Sequence, residues 1–157
     1  MPYTITLDEY PELDSVPLAT SAWYPAEGGL SDLYGGPEVR GDDLLIPYLA
    51  GLKPVGRIAG ALHAVIPMIV LGGFAPDGSV NSDERTGLAS NIDILTALCL
   101  PPALPAATKP FVFHRVDGDR HADCEVVGPF APQDVDSGVA TGIIEIVIPS
   151  GIWVVGS

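Results

Sequence analysis

Residues 61 to 71 read Ala-Leu-His-Ala-Val-Ile-Pro-Met-Ile-Val-Leu, and this run constrains the chain more than any other segment. Successive side chains of a strand point to opposite faces. Leu62, Ala64, Ile66, Met68 and Val70 then share one face, and His63, Val65, Pro67, Ile69 and Leu71 share the other. Both sets are largely apolar, so both faces are expected to be covered. Val65, Ile66, Ile69 and Val70 are β-branched, which suits a packed, pleated surface. The competing reading, a membrane span from Ala59 to Ala75, is short of the roughly 20 apolar residues a span needs. His63, Pro67, Gly72 and Gly73 also interrupt it. Pro67 cannot donate to a ladder, so it marks an edge or a bulge.

The remaining elements follow from shorter signals. Thr4 to Leu7 reads as a strand, and Val16 to Leu18 as a second. Residues 21 to 60 are irregular, with Trp23, Tyr24, Tyr34 and Tyr48 spaced among Gly and Pro breaks. Aromatic anchors at that frequency argue against disorder, so this is a long ordered loop that docks on something. Pro76-Asp77-Gly78 is a turn. Ser82 is the expected N-cap of a helix, with Asp83 and Glu84 in its first turn. Leu88, Ile92, Leu95 and Cys99 recur at helical spacing, Leu98 lies beside them, and Pro101-Pro102 ends the helix. Phe111 to Val116 and Asp119 to Val127 form a hairpin turned by Asp117-Gly118. Thr141 to Ile148 is a strand with Ile144, Ile146 and Ile148 on one face, and Ile152 to Val155 adds a short one. This order predicts a mostly β fold, an antiparallel sandwich or tube-like barrel, with one flanking α-helix.

With 157 residues, the chain is expected to form a single domain over 1–157. Acidic residues number 20 against 7 basic ones, for a net charge of −13. The basic residues are scattered, which argues against holding nucleic acid by its phosphates. Charged residues are only 17% of the chain, below the roughly 25% of typical domains. A surface so poor in charge points to burial of part of it against neighbouring subunits. Two cysteines, Cys99 and Cys124, are too few for a disulfide framework. The start, Met1-Pro2-Tyr3-Thr4, has neither the basic nor the apolar region of a secretory signal.

The densest polar cluster is Asp117 to Glu125, with His121, Asp123, Cys124 and Glu125. Alternation puts His121, Asp123 and Glu125 on one face and Ala122, Cys124 and Val126 on the other. That is the pattern of a half-solvated hairpin strand, and it outweighs a metal site. Asp77, Asn81, Asp83 and Glu84 lack the spacing of a calcium loop and fit a capped turn. His63, inside the apolar strand, reads as a core or interface residue. His114 lies on the hairpin, on the face of Val112 and Val116. No nucleophile elbow, phosphate loop or dinucleotide fingerprint is present. The expectation is a non-enzyme with no cofactor and no metal. A small hydrolase or metal enzyme using His114, His121 and nearby carboxylates is the competing enzymatic class.

Three stretches occur in order along the chain. Leu13-Asp14-Ser15-Val16-Pro17-Leu18 is followed by Trp23. Val39-Arg40-Gly41-Asp42-Asp43 continues through Ile46-Pro47 to Ala50-Gly51. Gly87-Leu88-Ala89-Ser90-Asn91-Ile92 leads to Leu95. Together they resemble minor tail proteins of phages that infect actinobacteria. The layout is also similar to the N-terminal domain of distal tail proteins and, more loosely, to the siphophage tail-tube fold. The resemblance implies a β-sandwich with a flanking helix and a ring, usually hexameric, whose inner strands join around a lumen. It implies that Arg40, Gly41, Asp42, Asp43 and Pro47 form a loop at or near a subunit contact. Its implied partners are further copies of the chain and other tail proteins, with DNA only as passing cargo. Its implied location is the virion tail, assembled in the host cytoplasm. Distal tail proteins often carry a further C-terminal domain that this sequence does not include. A distal tail ring, a tube subunit and a tail terminator or other head–tail joining protein therefore stay open. Outside this class, a monomeric β-barrel binding module for a small ligand or peptide also fits the two-faced strand.

Overall fold

Two ten-residue strands, β8 (Leu62–Leu71) and β12 (Val139–Ile148), form the longest ladder of the molecule. They run antiparallel from Leu62 opposite Ile148 to Leu71 opposite Val139. The computed structural model describes residues 8–36, 60–102, 107–133 and 135–156, together with the backbone of four two-residue strands between 39 and 59. In chain order the other strands are β1 (Tyr10–Leu13), β2 (Val16–Pro17), β3 (Trp23–Pro25), β4 (Val39–Arg40), β5 (Leu44–Leu45), β6 (Leu52–Lys53) and β7 (Ile58–Ala59). After β8 come the helix α1 (Glu84–Leu98), then β9 (Lys109–Arg115), β10 (Gly118–Val126), β11 (Ala131–Pro132) and, beyond β12, β13 (Val154–Val155).

The main sheet has the order β2-β1-β9-β10-β12-β8-β3, with β11 on β12 and β13 on β10. Every pairing in it is antiparallel. β10 pairs with β9 from Gly118 to Cys124 but with β12 only at Glu125 and Val126. The sheet therefore curls at β10 into a half-barrel. One apolar core fills the curl, and its largest fully buried side chains include Trp23, Phe111, Phe113, Ile66, Met68 and Ile144. Each such side chain contributes about 1.5–3 kcal/mol by leaving water. The mostly β, antiparallel architecture with one flanking helix is the one the sequence predicts.

The strand alternation of β8 holds on its inner face, where Leu62, Ala64, Ile66, Met68 and Val70 are all buried. The outer face departs from expectation. His63 and Val65 are exposed and Pro67, Ile69 and Leu71 are half-buried. Apolar composition made this face look covered, but among the described residues what comes close is the turn at Gly29, at Pro67, and Asp32, whose carboxylate accepts the Val65 amide at 3.0 Å. Pro67 lies in an internal strand. Its missing N–H falls where β3 ends, and its carbonyl accepts the Ala26 amide at 2.8 Å.

Two strands had no sequence signal. β1 pairs with both β2 and β9, and the β1–β2 turn places Asp14 and Ser15 at φ 50° and 65°. A two-residue turn with both φ values positive matches the twist of the flanking strands. β3 lies inside the segment read as irregular, antiparallel to β8, and Ser31–Tyr34 after it forms a 3₁₀ turn that buries Leu33. The expected strand Thr4 to Leu7 falls outside the described residues.

The helix starts one residue later than expected. Asp83, not Ser82, is the N-cap, and its carboxylate accepts the Arg85 amide at 3.1 Å and the Thr86 hydroxyl at 2.7 Å. Leu88, Leu95, Leu98 and Cys99 are buried as their spacing predicts. The β9–β10 turn is likewise shifted by one, because Arg115 pairs with Gly118 and leaves Val116 and Asp117 as the loop.

Candidate assembly surface and charged sheet corner

The outer faces of β8 and β12 form one open surface. Register places Val147 beside His63, Glu145 beside Val65, Ile143 beside Pro67 and Thr141 beside Ile69. Val65 and Ile143 are each 37% exposed and Val139 is 43% exposed. Among the described residues, the ionisable groups on or beside this part of the face are His63, Glu145 and Asp32, which accepts the Val65 amide, with Glu125 adjoining through β10. No lysine or arginine among the described residues stands on it. His63 is thus an exposed surface residue and not part of the core. The surface is apolar with a weakly acidic border, a composition suited to contact with another protein surface.

Gly41, Asp42, Asp43 and Pro47 lie outside the described residues, and Arg40 enters only through its backbone, in β4 opposite Ile58 of β7.

A second polar region occupies the corner where β1, β9 and β10 meet. Glu12 Oε2 lies 2.7 Å from His114 Nε2, and Asp119 Oδ1 lies 2.9 Å from His114 Nδ1. At the end of the same hairpin, Asp117 bridges Arg115 and Arg120, each at 3.0 Å. The Arg115 guanidinium sits 4.7 Å above the ring of Tyr34. Tyr34 donates its hydroxyl to Glu9, which also accepts the Val116 amide at 3.2 Å. That bond to Glu9, followed by burial, raises the Tyr34 phenol above its usual range. The sequence placed His114 on the hairpin correctly but gave no partner for it. Its partner Glu12 sits on β1, a strand interrupted by Pro11 and without an alternating apolar pattern.

His121, Asp123 and Glu125 are exposed on β10 while Cys124 is buried beneath. Asp77 accepts from both the amide and the hydroxyl of Ser79, and these bonds hold its carboxyl below the usual range. Asn81 donates to the Gly72 carbonyl at 2.9 Å. Among the described residues, no group of three or more His, Cys, Asp or Glu is arranged to hold a metal ion. An open groove of about 650 Å³ runs along β9, β10 and β13, lined by Pro110, Val112, His121, Asp123, Ile152 and Val154 among others. No helix among the described residues is long and apolar enough to cross a membrane.

Sequence features missed Asn91 and Lys109, which join α1 to the sheet. Asn91 is buried on α1 and donates to the carbonyls of Leu71 and Phe74 at 2.7 and 2.9 Å. Lys109 is buried at the start of β9 and donates its ammonium to the Leu98 carbonyl at 2.5 Å. A cation on a carbonyl of the last helical turn complements the helix dipole.

Comparison with known proteins adds one finding. No protein-family model matches the chain, and no curated protein matches it. Among solved structures, it is similar to Dit (gp 19.1) of phage SPP1, described as a paradigm of the hub adsorption apparatus in phages infecting Gram-positive bacteria. The two superpose with a TM-score of 0.57 at 14% identity over 94% of this chain. The match spans 52% of the Dit chain, about half its length. The chain has the fold of that half of a phage hub protein.

Proposed function

We propose that this chain is a structural virion protein of a long-tailed phage, working as a ring of identical subunits in the tail. The observation that carries the reading is the superposition of nearly the whole chain on part of a tail hub protein. A distal tail or tail-tube-like position fits best, with a hexamer as the expected ring. The tail terminator and other head–tail joining positions belong to the same reading. The actinobacterial origin, and Arg40, Gly41, Asp42, Asp43 and Pro47 as a subunit-contact loop, are finer parts of it that rest on sequence resemblance.

Two physical features support assembly. The outer face of β8 and β12 leaves apolar side chains in water, which a neighbouring subunit would cover at a gain of about 25 cal/mol per Å² of apolar surface. A net charge of −13 repels DNA, so cargo would pass a lumen without adhering. The function is mechanical, set by shape and surface, and uses no catalytic step. Its partners are further copies of the chain and other tail proteins.

The groove along β9, β10 and β13 favours a second reading, a monomeric module that binds a peptide or small ligand. Mass photometry and electron microscopy separate the two, on the purified protein alone and with the tail proteins encoded beside it. Rings or tubes with a central hole support the tail reading. A monomer that joins no such assembly overturns it in favour of the binding module.

A further inference from the structure

His114 has a carboxylate at each ring nitrogen, and the three groups come from three strands. Glu12 belongs to β1, His114 to β9 and Asp119 to β10. Register brings them together, since Tyr10 and Asp119 stand directly opposite His114 on its two sides. Tyr10 stacks on the imidazole with ring centroids 4.5 Å apart. A neutral imidazole has one N–H and must present a lone pair from its other nitrogen. Only the imidazolium donates to both carboxylates at once, through charge-assisted bonds.

The strand held in this way is near the margin of the sheet. β1 spans four residues, and among the described residues only β2, with two, lies beyond it. We propose that Glu12, His114 and Asp119 form a proton-dependent staple fastening the β1–β2 hairpin to the β9–β10 hairpin. With the proton on, one ring links three strands. With the proton off, one carboxylate faces a lone pair and the margin loosens.

The groups facing the ring from each neighbouring strand are Glu12 and Tyr10 on β1 and Asp119 on β10. Other nearby charges are engaged elsewhere. Arg115 lies over Tyr34 and pairs with Asp117. Glu9 holds Tyr34 and the Val116 amide, and His121 packs against Gly156. Burial by itself would lower the His114 pKa, but the bonds and charges of Glu12 and Asp119 outweigh it and hold it above the ordinary 6.5. Its folded pKa is raised, so the staple is complete below the unfolded value and is lost as pH rises through the folded one.

Backbone hydrogen exchange, corrected for intrinsic rates, tests this on the full chain. The probes are the amides of β1 and of Asp14, which donates to the Pro110 carbonyl at 2.8 Å, with β8 amides as the reference. The expected result is a fall in β1 protection of about five- to tenfold between mildly acidic and alkaline pH, without a matching fall in β8. His114→Gln should show the lower protection at both pH values. Protection of β1 that ignores pH, or that keeps its pH dependence in His114→Gln, overturns the proposal. Titration of the His114 ring by NMR in the unmodified protein is independent of whether the variant folds. A midpoint at or below 6.5 overturns the proposal as well.

Discussion

Gly72 and Gly87 meet backbone to backbone. A Cβ on Gly87 would sit 2.2 Å from the Gly72 carbonyl oxygen, and a Cβ on Gly72 would sit 1.9 Å from the carbonyl oxygen of Glu84. The first turn of α1 thus lies directly on the end of β8, with no room for a side chain from either element.

This contact reverses the usual effect of alanine in a helix. Gly87→Ala should gain about 1 kcal/mol in helix propensity. Against this, the overpacked contact costs about 1–3 kcal/mol, and Asn81 must move too. The net expectation is a lower urea midpoint at an unchanged slope. A variant more stable than the parent would mean that helix and strand can separate without penalty.

Asn91 offers a second test of the same junction. Asn91→Ala leaves the Leu71 and Phe74 carbonyls without their side-chain donor, for a loss of about 2–3 kcal/mol. Calorimetry or urea unfolding reads this directly. A loss below about 0.5 kcal/mol would show that water replaces the amide and that the site is wetter than its 2% exposure indicates.

The cysteines report on core closure. Burial pushes the Cys124 thiol up to about 12 and raises Cys99 as well, against the lowering effect of Lys109. At pH 8 almost no thiolate is present in the native protein, so iodoacetamide should label neither cysteine until urea unfolds the chain. Rapid labelling of folded protein would mean that the curl of the sheet opens often.

The outer face of β8 and β12 supports a test that separates folding from assembly. Ile143→Lys changes an exposed side chain, so stability should move by no more than about 0.5 kcal/mol. A lysine ammonium in a covered apolar contact should abolish rings or tubes seen with the parent protein. Assembly that proceeds unchanged would place the subunit contact elsewhere.

The legible part of the fold is the part with a long period. β8, β12, α1 and the β9–β10 hairpin each carry enough alternating or helical positions to fix their inner faces. β1 and β3 are short, contain Pro11 and Pro25, and exist because distant strands offer them an edge. No local pattern encodes that offer. The same limit hid the corner around His114, whose partner Glu12 becomes adjacent only through the β1–β9 register. It also explains β8, where composition revealed that both faces are apolar but not that one remains open. The offsets at Asp83 and Val116 have a smaller cause. Neighbouring residues there can serve the same cap or turn, and packing selects between them.

The pairing of β1 with β9 sets the pace at which this domain can form. The Glu12–His114 contact joins residues 102 positions apart, and β10 must be in place for the two halves of the sheet to meet. Such closures cost chain entropy before any contact compensates for it, so folding should be slow for a domain of this size. During synthesis, β1 and β3 emerge before β9 and β8, the long-range partners that tie them into the sheet. The β1–β2 hairpin can thus join the sheet only once β9 has been made, and the β8–β12 ladder closes only after that.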